Sequence, residues 1–222
     1  PRGWRPGFGV PFQPELNVDR KVLRNLHAHL EAFRDGAGPD MDLLLDLNFN
    51  AKTEGYVKIL KSIADVDMFW VEIDSYNADA LAYVRQQSPH PISSCETLLG
   101  IRDFLPFFKA QSMDVAIIDA IWNGVWQSMK IANLAEAHEV NIAPHNFYGN
   151  LSTLMSAHLC AAIPNFRVME IEVDDVPWKH DLLTWRPDVV DGALKLPPGP
   201  GWGAALNEDA IRAHPPKFVK DG

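Results

Sequence analysis

Short apolar runs alternate along this chain with longer stretches in which apolar residues return every three to four positions. The runs 41–46, 68–72, 91–95, 114–118, 140–143 and 166–171 predict strands, the first apolar on both faces as in a covered parallel sheet. The stretches between them predict helices over 53–65, 77–87, 98–110, 123–138 and 150–161. An earlier helix over 18–36 would carry Val22, Leu26, Leu30 and Phe33 on one face, with Asn17 or Asp19 as its cap and Gly36-Ala37-Gly38-Pro39 as its stop. Helix 123–138 would turn Val125, Met129, Ala132 and Ala135 inward. Residues 1–17 are rich in Gly and Pro and read as an irregular loop. After residue 173 the pattern dissolves, so 174–222 is expected to leave the repeat and cover another surface.

A repeat of one strand and one helix is the unit of an α/β, TIM-type (β/α) barrel. Six such strands are two short of a closed barrel, and an open set exposes unpaired edges. Strands 41–46 and 166–171 are therefore expected not to be neighbours. Two further strands, from another polypeptide or from a segment ahead of residue 1, would lie between them. With Pro1 in place of an initiator Met, the chain reads as the C-terminal piece of something longer.

Six polar residues keep the same step. Asp46, Glu72, Glu96, Asp119, His145 and Glu170 follow one another at gaps of 26, 24, 23, 26 and 25 residues, each at or near the end of a predicted strand. Barrel enzymes draw their catalytic groups from the C-terminal ends of successive strands. A charge there is costly unless it has a partner or a metal. Any one of these acids could simply pair with Lys or Arg. As a set, Asp46, Glu72 and Glu96 would repel unless a cation joins them, and hard oxygen donors without Cys or His select Mg²⁺. The three are expected to converge, each with an oxygen about 2.1 Å from the ion. Asp119 and His145, from neighbouring strands, form a candidate proton-transfer dyad at about 2.6–3.2 Å, with the second ring nitrogen facing the metal pocket. The remaining histidines, His27, His29, His90, His138, His158, His180 and His214, mostly fall on helices or loops and read as surface or interface residues. Asn48, on the same side as Asp46, and the weaker candidates Asn146 and Trp122 complete the expected substrate pocket.

Composition narrows this picture. A chain of 222 residues with 47% apolar content can bury a sizeable core, which excludes disorder. A net charge of −9 argues against general nucleic-acid binding but not against an acidic substrate, since a bound cation reverses the local field. Cys95 and Cys160 make a poor disulfide framework, which points to a reduced, cytoplasmic setting. No apolar run approaches a membrane span, and no signal-peptide pattern opens the chain.

From about residue 40 to 210 the sequence resembles the mandelate-racemase-like branch of the enolase superfamily. Asp46-Leu-Asn48 is similar to the end of that family's third barrel strand, Trp70-Val-Glu72 to the fourth, and Ser94-Cys-Glu96 to the fifth. Ile118-Asp119 with Gly124 resembles the sixth, Ala143-Pro-His145-Asn146 the seventh, and Ile163-Pro-Asn165 through Glu170 the eighth. Gly199-Pro-Gly-Trp-Gly203, followed by Asn207-Glu-Asp209, resembles the closing segment. The chain departs from the family at Ile73-Asp74, where Pro is usual, at Gly124-Val125, where Gly-Gly is usual, and at Trp122, where a basic residue is common.

The resemblance implies that 18–173 is about strands 3 to 8, that 1–17 is a loop near the active-site mouth, and that 174–222 packs on the barrel or on a capping domain. It also implies an N-terminal partner segment bearing an α+β capping domain and the first strands, and a homo-oligomer. The implied chemistry is Mg²⁺-dependent abstraction of the proton α to a carboxylate of a small molecule, with a Lys or His base. Glu170 would face a substrate carboxylate oxygen as a donor, or else pair with Arg167. Dehydration of a sugar acid is the favoured outcome. Racemisation or epimerisation of a 2-hydroxy acid is the alternative, and an inactive barrel serving as a binding module is the reading outside enzymology.

Overall fold

The computed structural model describes residues 17–173 and 176–215. Apart from Asn17, the expected loop 1–17 lies outside the described residues. The chain runs α1 (Arg20–Ala37), β1 (Leu44–Asp46), α2 (Thr53–Ser62), β2 (Trp70–Glu72), α3 (Ala78–Gln87), β3 (Ile92–Ser94), α4 (Gly100–Lys109), β4 (Val115–Asp119), α5 (Ala120–Ala137), β5 (Asn141–His145) and α6 (Asn150–Ala162). The strands form one parallel sheet in chain order. Its register aligns Asp46 with Glu72 and Asp119 with His145.

The sheet separates two apolar regions. Towards the helices lies the main core, including Val71, Ile73, Ile92, Phe104, Phe108, Ile118, Ile131 and Ile142. On the opposite face Trp70, Val115, Ile117 and Ala143 form a small second cluster. Alternation along each strand then puts Glu72, Asp119 and His145 on this second face, beyond the apolar layer. This is how a barrel interior is filled below its polar mouth.

Several boundaries shift for local reasons. Asp19 caps α1, its Oδ1 accepting from the Lys21 and Val22 amides at 2.8 and 2.9 Å. Leu26 and Leu30 are buried, but Phe33 is 61% exposed, so the expected apolar face does not extend to it within the described residues. Strand 41–46 shortens to three residues. Helix α5 starts at Ala120 rather than 123 because Asp119 caps it directly off β4, and Gly124 (φ 67°, ψ 157°) breaks its path. Val125 is consequently exposed, while Ser128, Ile131, Ala132 and Ala135 form the buried face.

The run 166–171 is not a regular strand. It follows β5 through one parallel bridge, Ile142 to Phe166, in which the Ile142 amide donates to Asn165 O at 2.8 Å and the Arg167 amide to Ile142 O at 2.9 Å. The next ladder donor would be residue 144, a proline with no N–H. Pro144 O then accepts from the Glu170 amide at 3.4 Å, one residue later than a regular ladder would give. This irregular edge and β1 are not paired with each other, and no described strand pairs with the outer edge of β1.

The last segment holds a 3₁₀ turn (Lys179–Asp181), a hairpin of β6 (Val189–Val190) and β7 (Ala193–Leu194), and α7 (Glu208–Ala213). It is tied to α6, with Asn150 Nδ2 and His180 Nδ1 3.0 Å apart and the His158 ring 5.4 Å from that of Trp202. Lys179 is buried and donates to Glu172 O at 3.1 Å. Its Nζ also lies 3.8 Å from Glu172 Oε2, which engages the Glu172 carboxylate away from the acids of the site. No described helix is long and apolar enough to cross a membrane.

Candidate active site

Asp119 is the best-defined group at the strand ends. Its fully buried carboxylate accepts from the Ile121 and Trp122 amides through Oδ1, both at 2.8 Å. Its Oδ2 lies 2.8 Å from His145 Nδ1 and accepts from the Tyr148 hydroxyl at 2.8 Å. Burial pushes Asp119 towards the neutral form, but the hydrogen bonds from His145, Trp122 and Tyr148 outweigh it and hold the pKa below the ordinary value. Burial pulls His145 down, but the hydrogen bond to Asp119 and the charges of Glu96 and Glu170 raise it above the usual range. With Nδ1 held by Asp119, Nε2 faces Glu96, 3.6 Å from its Oε2. The spacing of the pair falls in the range expected from sequence.

Two backbone irregularities turn acids inward. Ser93 pairs with Val115, which faces the inner side, so plain alternation would send Glu96 towards the helices. Cys95 takes a left-handed φ of 92°, reversing the alternation, and Glu96 meets His145 instead. The extra residue between the bridge at Phe166 and Glu170 does the same for Glu170. The Glu170 carboxylate accepts from the Asn146 amide at 2.6 Å, and its charge acts on Asp46, Glu72, Glu96 and His145. Arg167 is not its partner. That guanidinium lies 4.5 Å from the centre of the Phe69 ring.

The carboxylates press on one another. Burial, and then the charges of Asp46, Asp74, Glu96 and Glu170, push Glu72 well above the carboxylate range. Burial raises Glu96 too, although His145 opposes the shift. Asp46 rises to about 6 through burial and the charges of Glu96 and Glu170, against the hydrogen bonds of Asn48. Oxygen donors in this electrostatic state fit a hard divalent cation, whose charge would relieve the repulsion.

Their side chains are less gathered than expected. Among the described residues, no three His, Cys, Asp or Glu side chains stand as a ready-made metal cluster. Like-charge repulsion favours separation, and Asn48 takes up Asp46. The Asn48 amide donates to Asp46 Oδ1 at 2.7 Å, and its side-chain Nδ2 donates to Oδ2.

The expected pocket residues divide. Trp122 is half exposed, with its ring 6.2 Å from that of His145, and can face a ligand. Asn48 faces Asp46. Asn146 does not form a pocket wall: it is fully buried, its Nδ2 donates to Thr153 Oγ1 and Glu170 O at 3.0 Å each, and its Oδ1 accepts from Ser152 Oγ at 2.6 Å. Its place is in the framework that holds Glu170.

Two residues at the site were not singled out from sequence as functional. Tyr148 shares Asp119 Oδ2 with His145 and meets its ring edge-on at 5.5 Å. Asp74, only 3% exposed, lies beside Glu96. Burial, followed by the charges of Glu96 and Asp46, pushes its pKa far up. Its sequence signals were the departure at Ile73-Asp74, where the family usually has Pro, and its position two residues beyond Glu72, on the same side of the chain.

The family model for the enolase C-terminal domain-like family matches residues 13–210. D-gluconate dehydratase of Thermoproteus tenax is 30% identical over 209 residues, which is 92% of this chain and 42% of that protein. D-xylonate dehydratase of Haloferax volcanii is 27% identical over 213 residues, 92% of this chain and 52% of that one. A crystal structure of a candidate L-alanine-DL-glutamate epimerase from Burkholderia xenovorans, bound to magnesium and fumarate, superposes with a TM-score of 0.92. It is 65% identical, and the match covers 97% of this chain and 54% of that one. The chain thus spans about half the length of the relatives it matches.

Proposed function

The chain belongs to the enolase C-terminal domain-like family, and from that premise we propose that it carries the proton-transfer and cation-binding half of an enzyme that removes the proton α to a carboxylate. The observation that carries this reading is the Asp119–His145 pair, closed at 2.8 Å with Nε2 turned to the carboxylates. Asp46, Glu72 and Glu96 would hold Mg²⁺. When bound, that ion supplies the positive charge that stabilises an enediolate as it develops on the substrate.

The chain's own residues supply the rest. Asp119 fixes the imidazole tautomer, so that Nε2 is the atom that takes or gives a proton. Tyr148 and the α5 amides keep Asp119 ionised. Asn146 aims Glu170 at the place where a substrate carboxylate would sit, and Trp122 offers a flat apolar wall.

Dehydration of a sugar acid is the reading we favour. The α C–H bond breaks, its proton passing to His145 Nε2 and its electrons staying in the enediolate. His145 Nε2 gives a proton to the β-hydroxyl as the C–O bond breaks. Water departs, and the enol returns to a 2-keto-3-deoxy acid. The similarity to sugar-acid dehydratases supports this outcome. The 65% identity to a candidate epimerase favours a second reading, in which a base on the opposite face returns the proton to carbon.

The test is incubation of the protein, with its barrel complete, with sugar acids and amino-acid derivatives in D₂O with Mg²⁺. Formation of a 2-keto-3-deoxy acid supports dehydration. Deuterium gained at the α carbon with no loss of water supports epimerisation. Neither, from a protein that binds Mg²⁺, would leave the binding-module reading.

A further inference from the structure

The turn at Lys179–Asp181 reaches the support of Glu170 from two sides. On its β5 side the run that carries Glu170 is weakly held. The Glu170 amide donates to Pro144 O at 3.4 Å, against 2.8 and 2.9 Å at the bridge to Phe166. Two residues beyond Glu170, the buried Lys179 takes hold of the same run. Its Nζ donates to Glu172 O at 3.1 Å and lies 3.8 Å from Glu172 Oε2. A cation withdrawn from water is costly unless it is hydrogen-bonded, so this is a firmer tie than a surface contact. The next residue, His180, reaches the other side. Its Nδ1 is 3.0 Å from Nδ2 of Asn150, the first residue of α6. Just after it, Ser152 and Thr153 bond the Asn146 side chain. Asn146 in turn bonds Glu170, through its amide at 2.6 Å and its Nδ2 at 3.0 Å. Two adjacent residues of the closing segment thus hold the backbone that carries Glu170 and the helix end that supports Asn146.

We propose that Lys179 and His180 are positioning residues for Glu170, fixing where its carboxyl group stands without touching substrate themselves. This rests on the reading of Glu170 as the group that faces a substrate carboxylate. A misplacement of about 1 Å at such a group can cost about 100-fold in rate.

The experiment is a double-mutant cycle on the protein with its barrel complete, using the acid that the unsubstituted enzyme converts fastest in D₂O. Lys179→Met keeps the length of the side chain and removes the donor. Glu170→Ala removes the group that the donor would place. Glu170→Ala should lower kcat/KM at least about 100-fold. Lys179→Met should lower it at least about 10-fold on its own. With Glu170 already replaced by Ala, the same change should cost less than about twofold. Exchange of the Asn146 amide hydrogen, read by NMR, should quicken in Lys179→Met, while the Ile121 and Trp122 amides keep their protection. Mg²⁺ affinity, read by calorimetry, should not change.

Unchanged kcat/KM in Lys179→Met would overturn the proposal. So would an equal loss in both backgrounds, because Lys179 would then act by a route that leaves Glu170 out. If Lys179→Met does not fold, His180→Ala, at an exposed side chain, makes the same cycle through the other arm. Near-native activity of Glu170→Ala would instead remove the reading of Glu170 and the proposal with it, as would a complete enzyme that converts no acid.

Discussion

Asp119→Asn separates the holding of the imidazole from the movement of the proton. The native carboxylate accepts four hydrogen bonds, two from α5 amides and two from His145 and Tyr148. An amide oxygen can still cap Ile121 and Trp122, so α5 should begin at the same place. The new NH₂ group must then face His145 Nδ1 and Tyr148 Oη. An N–H cannot donate to another N–H, so the imidazole shifts its proton to Nε2 and loses the lone pair that faces the site. Two charge-assisted bonds become neutral ones, a loss of roughly 2 kcal/mol in stability. The same replacement in a Ser-His-Asp triad lowers kcat about 10⁴-fold. A fall of about 10³–10⁴ is expected here, equivalent to about 4–5.5 kcal/mol of barrier. The assay is kcat on whichever acid the unsubstituted enzyme turns over, beside calorimetry of Mg²⁺ binding, which should stay within about twofold. A kcat within tenfold of native, in a protein that still folds, would refute the dyad. Loss of Mg²⁺ binding in parallel with activity would show that Asp119 acts through the metal site.

Three further outcomes follow from the acids and from the closing segment. Mg²⁺ affinity should weaken as pH falls through about 6, where Asp46 takes up a proton. Metal-free stability should run the other way. The fold holds Asp46's proton to about 6 although the unfolded chain releases it near 4, so stability should decline as pH rises through that window, and the raised pKa of His145 extends the decline. Scanning calorimetry in EDTA at about pH 5 and 7.5 measures this, and a Tm that rises with pH would contradict the shifts. Gly203→Ala should loosen the 197–203 turn, because an added Cβ would lie 2.6 Å from Pro197 Cγ at a φ of +72°. Limited proteolysis should then cut near this turn at least several times faster, with the far-UV spectrum of the barrel helices retained.

The spacing of Asp46, Glu72, Glu96, Asp119, His145 and Glu170 was legible because one strand and one helix consume nearly constant length. Which way each side chain points was less so. Period-two alternation accounts for Glu72, Asp119 and His145, but Glu96 and Glu170 face the site only through the left-handed turn at Cys95 and the slipped pairing opposite Pro144. A non-glycine residue at positive φ leaves no reliable mark in sequence. Pro144 did leave one, since a proline cannot donate to an inner ladder. Asn146 shows the opposite error. Beside His145 it read as pocket wall, whereas its three side-chain hydrogen bonds, to Ser152, Thr153 and Glu170, come from tertiary neighbours. Tyr148 was hidden because an aromatic residue in a loop is ordinary until its hydroxyl is seen on Asp119.

The double duty of Asp119 bears on how other chains of this fold should be read. A descendant that abandoned proton transfer would still need the residue to start α5. Selection for folding alone would preserve it long after turnover had gone, so finding Asp at this position does not certify a working enzyme. His145 takes no part in that cap. Its loss from a chain that keeps the Asp would mark a retired active site on an intact scaffold.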